Sequence, residues 1–255
     1  MEVFGLDIGG SGIKGAPVDL ETGELVGERI RIPTPQAPTS EAVVETSLEV
    51  IRRFGWDGPV GVGFPGVIKD GVVRTAANVA KELIGFDLQG RLQHEVGDTV
   101  RVVNDADAAG LAEMRWGAGR GVEGMVMMLT LGTGIGSALF TQGKLMPNSE
   151  FGHLLIRERE AELRASDRIR KQEDLSWKQW AKRLNEYLAT MEALFWPDLI
   201  IVGGGVSKKA DKFVPKLETR AKIVPAQMLN IAGIAGAALA IEAFPRHAPR
   251  AATSG

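Results

Sequence analysis

Cysteine is absent from this chain of 255 residues, and histidine occurs only three times, as His94, His153 and His247. Without cysteine there is no disulfide, no thiolate nucleophile, no iron–sulfur cluster and no cysteine-ligated zinc. Three dispersed histidines also argue against a His-rich metal centre. No long apolar run occurs, so no transmembrane helix is expected. The opening Met-Glu-Val-Phe-Gly-Leu-Asp has no basic stretch followed by an apolar one, so no secretory leader is expected and the expected location is the cytoplasm. An excess of one charge is missing too. Thirty Lys and Arg face 32 Asp and Glu, a formal charge of −2, so no overall basic field points to nucleic acid.

What the chain does have is glycine: 32 residues, nearly twice the usual ~7%. The 44% hydrophobic and 24% charged content is that of a globular protein. Apolar strands alternate with helical patterns, which predicts mixed α/β sheets rather than a bundle or sandwich. Strands are expected at Val3–Ile8, Ile13–Leu20, Leu25–Ile32, Pro59–Phe64, Val100–Val103, Val126–Leu131, Ser137–Phe140 and Leu199–Val202. Helices are expected from Thr39 or Ser40 to about Phe54, over Leu88–Val96, after Asn104-Asp105 to about Trp116, over Ser176–Phe195 with a Ser176/Gln179 capping box, and over Ile231–Ala243. From Pro245 to Gly255 the chain has no periodicity and reads as a disordered tail.

One internal repeat stands out. Gly10-Ser11-Gly12-Ile13-x-x-Ala16 recurs as Gly132-Thr133-Gly134-Ile135-x-x-Ala138, each copy between two apolar strands. A tight Gly and Ser/Thr turn presents several backbone N–H groups on one concave side and binds phosphate. Two such turns suggest two lobes facing one ligand. Asp7, at the end of the first strand, suits a Mg²⁺ held between carboxylate and phosphate. Gly61-Val62-Gly63-Phe64-Pro65-Gly66 matches the dinucleotide fingerprint, but Pro65 and the hairpin predicted at Lys69-Asp70-Gly71 deny it the required helix. Asn104-Asp105 closes a strand, where ligands of α/β sheets bind; Asp105 is either a helix cap or a carboxylate aimed at a hydroxyl. Asp107 reads as a first-turn dipole residue. Glu150 and His153 can hydrogen-bond vicinal hydroxyls, as a sugar offers, or brace one another.

In this order the pieces resemble the ROK sugar kinases of the actin/hexokinase superfamily, and within them the branch that uses polyphosphate. Asp7–Gly15 resembles the first phosphate motif, and Leu129–Gly136 the second. Gly63-Phe64-Pro65-Gly66 and Thr75-Ala76-Ala77-Asn78 resemble sugar-side segments. Val102–Asp107 resembles the catalytic-acid segment, Glu150–His153 the E-x-G-H segment and Ile201–Ser207 the nucleoside-side motif. Two departures stand out. Glu162-Leu163-Arg164-Ala165-Ser166 occupies the place of the family's cysteine-rich zinc motif, and Leu83 stands where many relatives have tryptophan.

The resemblance implies a two-lobed ribonuclease-H-like (actin/hexokinase-type) α/β fold with its site in the interlobe cleft. Residues 1–105 with 236–244 would form the smaller lobe and 106–235 the larger. It implies transfer of a terminal phosphoryl group from polyphosphate or ATP to the 6-hydroxyl of glucose, with Asp105 as general base. Asn78, Asn104, Glu150, His153, Glu162, Gly63 and Gly66 would hold the sugar. Asp7, Gly9, Gly10, Ser11, Gly12, Lys14, Gly132, Thr133 and Gly134 would hold donor phosphates. Gly203, Gly204, Gly205 and Lys208 would line the nucleoside or polyphosphate side. Mg²⁺ near Asp7, no structural zinc, and a homodimer without nucleic-acid or membrane partners complete the expectation. Lys14, Arg115, Arg120, Lys144, Lys208 and Lys209 are the cations expected near a polyanion. The competing readings are a strictly ATP-dependent hexose kinase and a non-catalytic sugar sensor.

Overall fold

The structure, a computed structural model, describes residues 1–36, 39–76 and 81–244. β1 (Glu2–Gly9) turns at Gly10-Ser11 into β2 (Gly12–Asp19), and the two pair antiparallel from Glu2↔Asp19 to Gly9↔Gly12. β3 (Ile30–Ile32) lies on the outer side of β2. Thr39 caps α1 (Ser40–Arg52), accepting from the Ala42 N–H, and Val43, Val44, Leu48 and Ile51 of α1 are buried. β4 (Val60–Phe64), buried along its whole length, runs parallel to β1. The short hairpin of β5 (Ile68–Lys69) and β6 (Val72–Val73) follows. α2 (Leu88–Val96) begins at the Asp87 cap and ends at Gly97 in left-handed conformation. β7 (Val100–Asn104) leads directly into α3 (Asp105–Trp116).

The second half repeats this plan with β8 (Met125–Leu131), β9 (Ile135–Thr141) and β10 (Lys144–Met146). A two-stranded hairpin, β11 (Leu155–Ile156) and β12 (Arg159–Glu160), precedes α4 (Glu162–Ala165) and α5 (Asp167–Gln172). The long α6 (Trp177–Phe195) starts with the expected capping box, Ser176 and Gln179 bonding reciprocally. β13 (Leu199–Gly203), α7 (Ala210–Phe213), β14 (Lys222–Pro225) and α8 (Ala232–Ala243) complete the chain. The two sheets have matching orders, β3-β2-β1-β4-β7 and β10-β9-β8-β13-β14. This duplication is why the sequence repeats. Ile13 and Ile135 fill equivalent core positions, as do Ala16 and Ala138, and all four are buried.

α3 and α8 form the seam between the sheets, and small residues let their backbones approach closely. A Cβ at Gly236 would stand 1.6 Å from the Ala108 carbonyl oxygen, and one at Gly61 would stand 1.7 Å from that of Ala237. The G-x-G-x-x-G run therefore includes a glycine needed for helix-on-strand packing. Glu113 of α3 is fully buried; its carboxylate accepts from the N–H groups of Ala118 and Met228 at 2.8 and 2.7 Å, tying α3 to the approach of α8. Leu83 is buried in the core of the first sheet.

Two expectations are corrected. The third strand is not Leu25–Ile32; only Ile30–Ile32 pairs continuously, and Leu25 contributes an isolated bridge to Val18, because the intervening Gly27 sits at φ +93° and breaks the extension. The strand expected at Ser137–Phe140 begins two residues earlier, at Ile135, close behind the Gly-rich turn. The tail at 245–255 lies outside the described residues.

Candidate active site

Asn104, the last residue of β7, caps α3: its Oδ1 accepts from the N–H groups of Ala106 and Asp107 at 2.8 and 3.1 Å. The cap is thus Asn104, not Asp105. The Asn104 amide nitrogen donates to the Gly66 carbonyl at 3.2 Å and to Glu150 Oε1 at 3.3 Å, joining the first half of the chain to the second. Burial, reinforced by the carboxylates of Asp7 and Glu150, pushes the Asp105 pKa up to about 7, against backbone hydrogen bonds that pull it down. That value suits a base working near neutral pH.

Asp107 stands in the first turn of α3, as expected, but is buried there. Only 1% of its surface is accessible. Its Oδ2 accepts from the Asn148 N–H at 2.7 Å, while its Oδ1 is buried with no partner among the described residues. Burial first, then the Asp105 and Glu150 carboxylates, raise its pKa to about 7. Asn148 in turn grips both backbone groups of Ile68, at 2.9 and 2.8 Å, so Asp107 steadies a clamp between the loop after β10 and the β5–β6 hairpin.

Glu150 and His153 follow the second sheet's hairpin on a single 3-10 turn, Phe151–His153. Burial raises the Glu150 pKa, opposed by His153 and assisted by Glu162. His153 Nδ1 lies 3.1 Å from Glu160 Oε2 and its Nε2 lies 3.8 Å from Glu150 Oε2. Desolvation works against the charged imidazole, but the hydrogen bond to Glu160 and the carboxylates of Glu162, Glu160 and Glu150 outweigh it, and the pKa is raised. Glu162 Oε2 accepts from the Ile135 N–H at 3.3 Å and lies against Gly134, where a Cβ would be 2.3 Å away.

Asn104, Asp105, Glu150, His153 and Glu162 line a cavity of about 740 Å³, together with Gly9, Gly10, Ser11, Gly66, Gly132, Thr133 and Gly134. A second cavity of about 400 Å³ holds Asp7, Lys14, Gly203, Gly204, Gly205 and Lys208. Asp105, Thr130 and Gly204 line both. Gly204 permits the junction because it sits at φ +82° with Leu131 against it, a place no side chain fits.

Most of the expected site residues thus converge. Gly63 and Gly12 do not line either cavity: Gly63 is buried within β4, and Gly12 lies under the Arg31 guanidinium, 2.5 Å from where its Cβ would be. Arg115, Arg120, Lys144 and Lys209 also stay off both walls. The Gly117–Gly119 turn packs on Glu113 and Met114 instead, and its flanking arginines line neither of these two cavities. Asn78 lies outside the described residues. Residues that sequence reasoning missed are Arg168, Arg29 and Arg31. The backbone N–H of Arg168 donates to the Gly132 carbonyl at 3.1 Å, and its Nε is buried without a partner among the described residues. Nothing in their local sequence marked these positions.

As for metals, Lys14 Nζ holds Asp7 Oδ2 at 2.7 Å, and Oδ1 has no hydrogen bond to a described residue. One carboxylate oxygen without a described hydrogen bond suits Mg²⁺, which takes few protein ligands. Among the described residues, ligand atoms of His153, Glu160 and Glu162 lie within 4.8 Å of one another. No described helix is long and apolar enough to cross a membrane.

The ROK family model matches residues 3–164. A polyphosphate glucokinase of Mycobacterium tuberculosis is 53% identical over 96% of this chain and 92% of its own length. The crystal structure of an inorganic polyphosphate/ATP-glucomannokinase from Arthrobacter sp. strain KM, 50% identical, superposes with a TM-score of 0.90 over 94% of this chain and 98% of that one. A ROK family glucokinase from Streptomyces griseus, solved in complex with glucose and AMPPNP, is 27% identical with a TM-score of 0.80, over 93% and 98% of the two chains. Matching sheets, paired glycine turns and these similarities over nearly the whole length lead to one conclusion: the chain belongs to the ROK family.

Proposed function

We propose that this protein is a glucose kinase that moves the terminal phosphoryl group of inorganic polyphosphate, and of ATP, to the 6-hydroxyl of glucose. The observation that carries this reading is Asp105, which stands on the walls of both cavities at once. A sugar in the larger cavity and a donor in the smaller would meet at its carboxylate. Asp105 takes the proton of the 6-hydroxyl as that oxygen bonds to the terminal phosphorus, and the bridging P–O bond of the donor breaks. Glu150, His153 and Glu162 supply acceptors and a donor for ring hydroxyls, and Asn104 holds Glu150 in place. The backbone turns at Gly9–Ser11 and Gly132–Gly134 face the transferred phosphoryl group. Mg²⁺ bound at Asp7 with the donor would offset phosphate charge. Catalysis of this kind rests on positioning and electrostatics. The chain has no cysteine for a structural zinc, and Glu160 is the group that orients His153.

The 50% and 53% identities to proteins that use polyphosphate favour that donor. Met128, Ala226 and Leu229 on the wall of the smaller cavity give an apolar surface that suits a nucleoside, which favours ATP as a second donor. The decisive test uses nucleotide-free protein with glucose, long-chain polyphosphate and Mg²⁺. Glucose 6-phosphate should form, and chelation should stop it, while elemental analysis of the same sample finds no stoichiometric zinc. Product from ATP alone would leave a strictly ATP-dependent kinase; glucose binding without product from either donor would leave a sensor.

Glu150→Ala should weaken glucose binding by roughly tenfold or more, since an unpaired buried polar group costs ~1–3 kcal/mol. Calorimetry showing unchanged affinity would reduce Glu150 to a brace for His153 and Asn104.

A further inference from the structure

The smaller cavity carries more positive charge than a nucleotide requires. Lys14 is neutralised by Asp7 at 2.7 Å. Arg29, Arg31 and Lys208 also line this cavity, and none of them forms an ion pair with a carboxylate among the described residues. Arg31 lies directly opposite Lys14 in the β2–β3 register, so the two side chains share one face of the sheet. Arg29, just before β3, lines the same cavity. Charge on an edge strand does discourage strand addition, but that role does not require guanidinium groups on a cavity wall.

The arginines are held in place yet keep donors to spare. Arg31 Nη2 donates to the Ser11 carbonyl at the first glycine turn, at 2.5 Å, and Arg29 Nη1 donates to the Asn230 carbonyl at 3.1 Å. Each guanidinium has five N–H donors, in a fork that fits phosphate oxygens. Lys208 reaches the same cavity from the other half of the chain, after the triple glycine. Beyond its three phosphates ATP continues as a neutral nucleoside, which gains little from these cations. A linear polyphosphate continues as an anion at every unit.

Resting on the glucose-kinase reading above, we propose that Arg29 and Arg31 form a subsite for the internal phosphates of polyphosphate, and that the polymer leaves the donor cavity across the β2–β3 edge with Lys208 on the facing wall. The site adds no chemistry; it lengthens the grip on one donor.

The test compares long-chain polyphosphate, tripolyphosphate and ATP in the wild type, in Arg29→Gln and in Arg29→Gln/Arg31→Gln. The double variant should raise KM for the long chain about tenfold or more, as loss of charge-assisted contacts implies. Its kcat should change little, and KM for tripolyphosphate and ATP should change several-fold less. The wild-type KM for the long chain should rise with salt, and this dependence should flatten in the variant, since attraction to a polyanion is screened. Arg29→Gln alone, at an exposed position with a single backbone contact, should show the same trend at smaller size if the double variant folds poorly. Equal losses for all three donors would place the arginines on the shared phosphates and overturn the proposal. Unchanged long-chain KM in both variants would overturn it while leaving the glucose-kinase reading intact. A wild type that phosphorylates glucose from ATP but not from polyphosphate would remove the donor assignment and the subsite together.

Discussion

Replacing Asp105 with asparagine should lower kcat by about 10²–10⁴-fold, the usual contribution of a positioned base, while glucose affinity stays near that of the wild type. Asparagine keeps the size of the side chain but cannot take the proton from the 6-hydroxyl. The helix start is not at risk, because Asn104 makes the cap. The same assignment predicts a pH profile. With its pKa pushed up to about 7 by burial, Asp7 and Glu150, Asp105 is ionised, and competent as a base, only as pH rises through neutrality. Wild-type kcat/KM should therefore fall on the acid side with a midpoint near 7, and the residual activity of Asp105→Asn should lose that limb. Steady-state kinetics between pH 5 and 9 decides the matter. Near-normal turnover in the variant, or an acid limb at the ordinary carboxylate value, would remove Asp105 from the role of base.

The second large effect concerns the α3–α8 seam. Gly236→Ala should destabilise the protein although it improves the helix. Glycine costs a helix interior ~0.8–1 kcal/mol relative to alanine, so an isolated α8 would gain. Here the new Cβ would lie 1.6 Å from the Ala108 carbonyl oxygen, and backbone on both sides prevents easy escape. Overpacking of this kind costs ~1–3 kcal/mol and sometimes more, which outweighs the propensity gain. Gly236→Val should be worse, lowering Tm by roughly 5–10 °C at ~2–4 °C per kcal/mol for a chain of this size. Because α3 carries Asp105 at its first residue, spreading the seam also displaces the base, and kcat should fall with stability. Gly132→Ala is the contrast: a Cβ there meets nothing within 4 Å, so Tm should hold while the donor KM rises. Thermal denaturation and donor kinetics on these variants test both statements. A higher Tm in Gly236→Ala would show that helix propensity, not the close crossing, governs α8.

Much of this protein was already legible in local sequence. The pattern over Leu88–Val96 predicts a helix, and α2 has those limits, bracketed by the Asp87 cap and left-handed Gly97. The capping box before Trp177 marked the start of α6 for the same reason. The paired glycine turns gave away the duplicated hairpins, since backbone approach to an anion and a tight reversal both need glycine nearby in sequence. Other features depend on contacts that local pattern does not show. Asp107 looks like an ordinary first-turn acid, and only the arrival of Asn148, 41 residues on, buries it and makes it part of a clamp. Asp105 reads in sequence as either a helix cap or a carboxylate aimed at a hydroxyl; the cap falls to Asn104, whose Oδ1 accepts from the Ala106 and Asp107 N–H groups.

The sequence by itself determined what periodicity and turn chemistry can encode: an α/β chain made of two related halves, each with a glycine-rich turn between apolar strands. It also marked Asp105, Glu150 and His153 as chemically capable. Only the tertiary structure decided what those groups share. That one carboxylate borders two cavities, that Arg29 and Arg31 reach the smaller of them, and that Arg115 and Arg120 do not, depend on strand pairing and on the crossing of α3 with α8. Such contacts join residues far apart in the chain, and no local pattern carries a record of them.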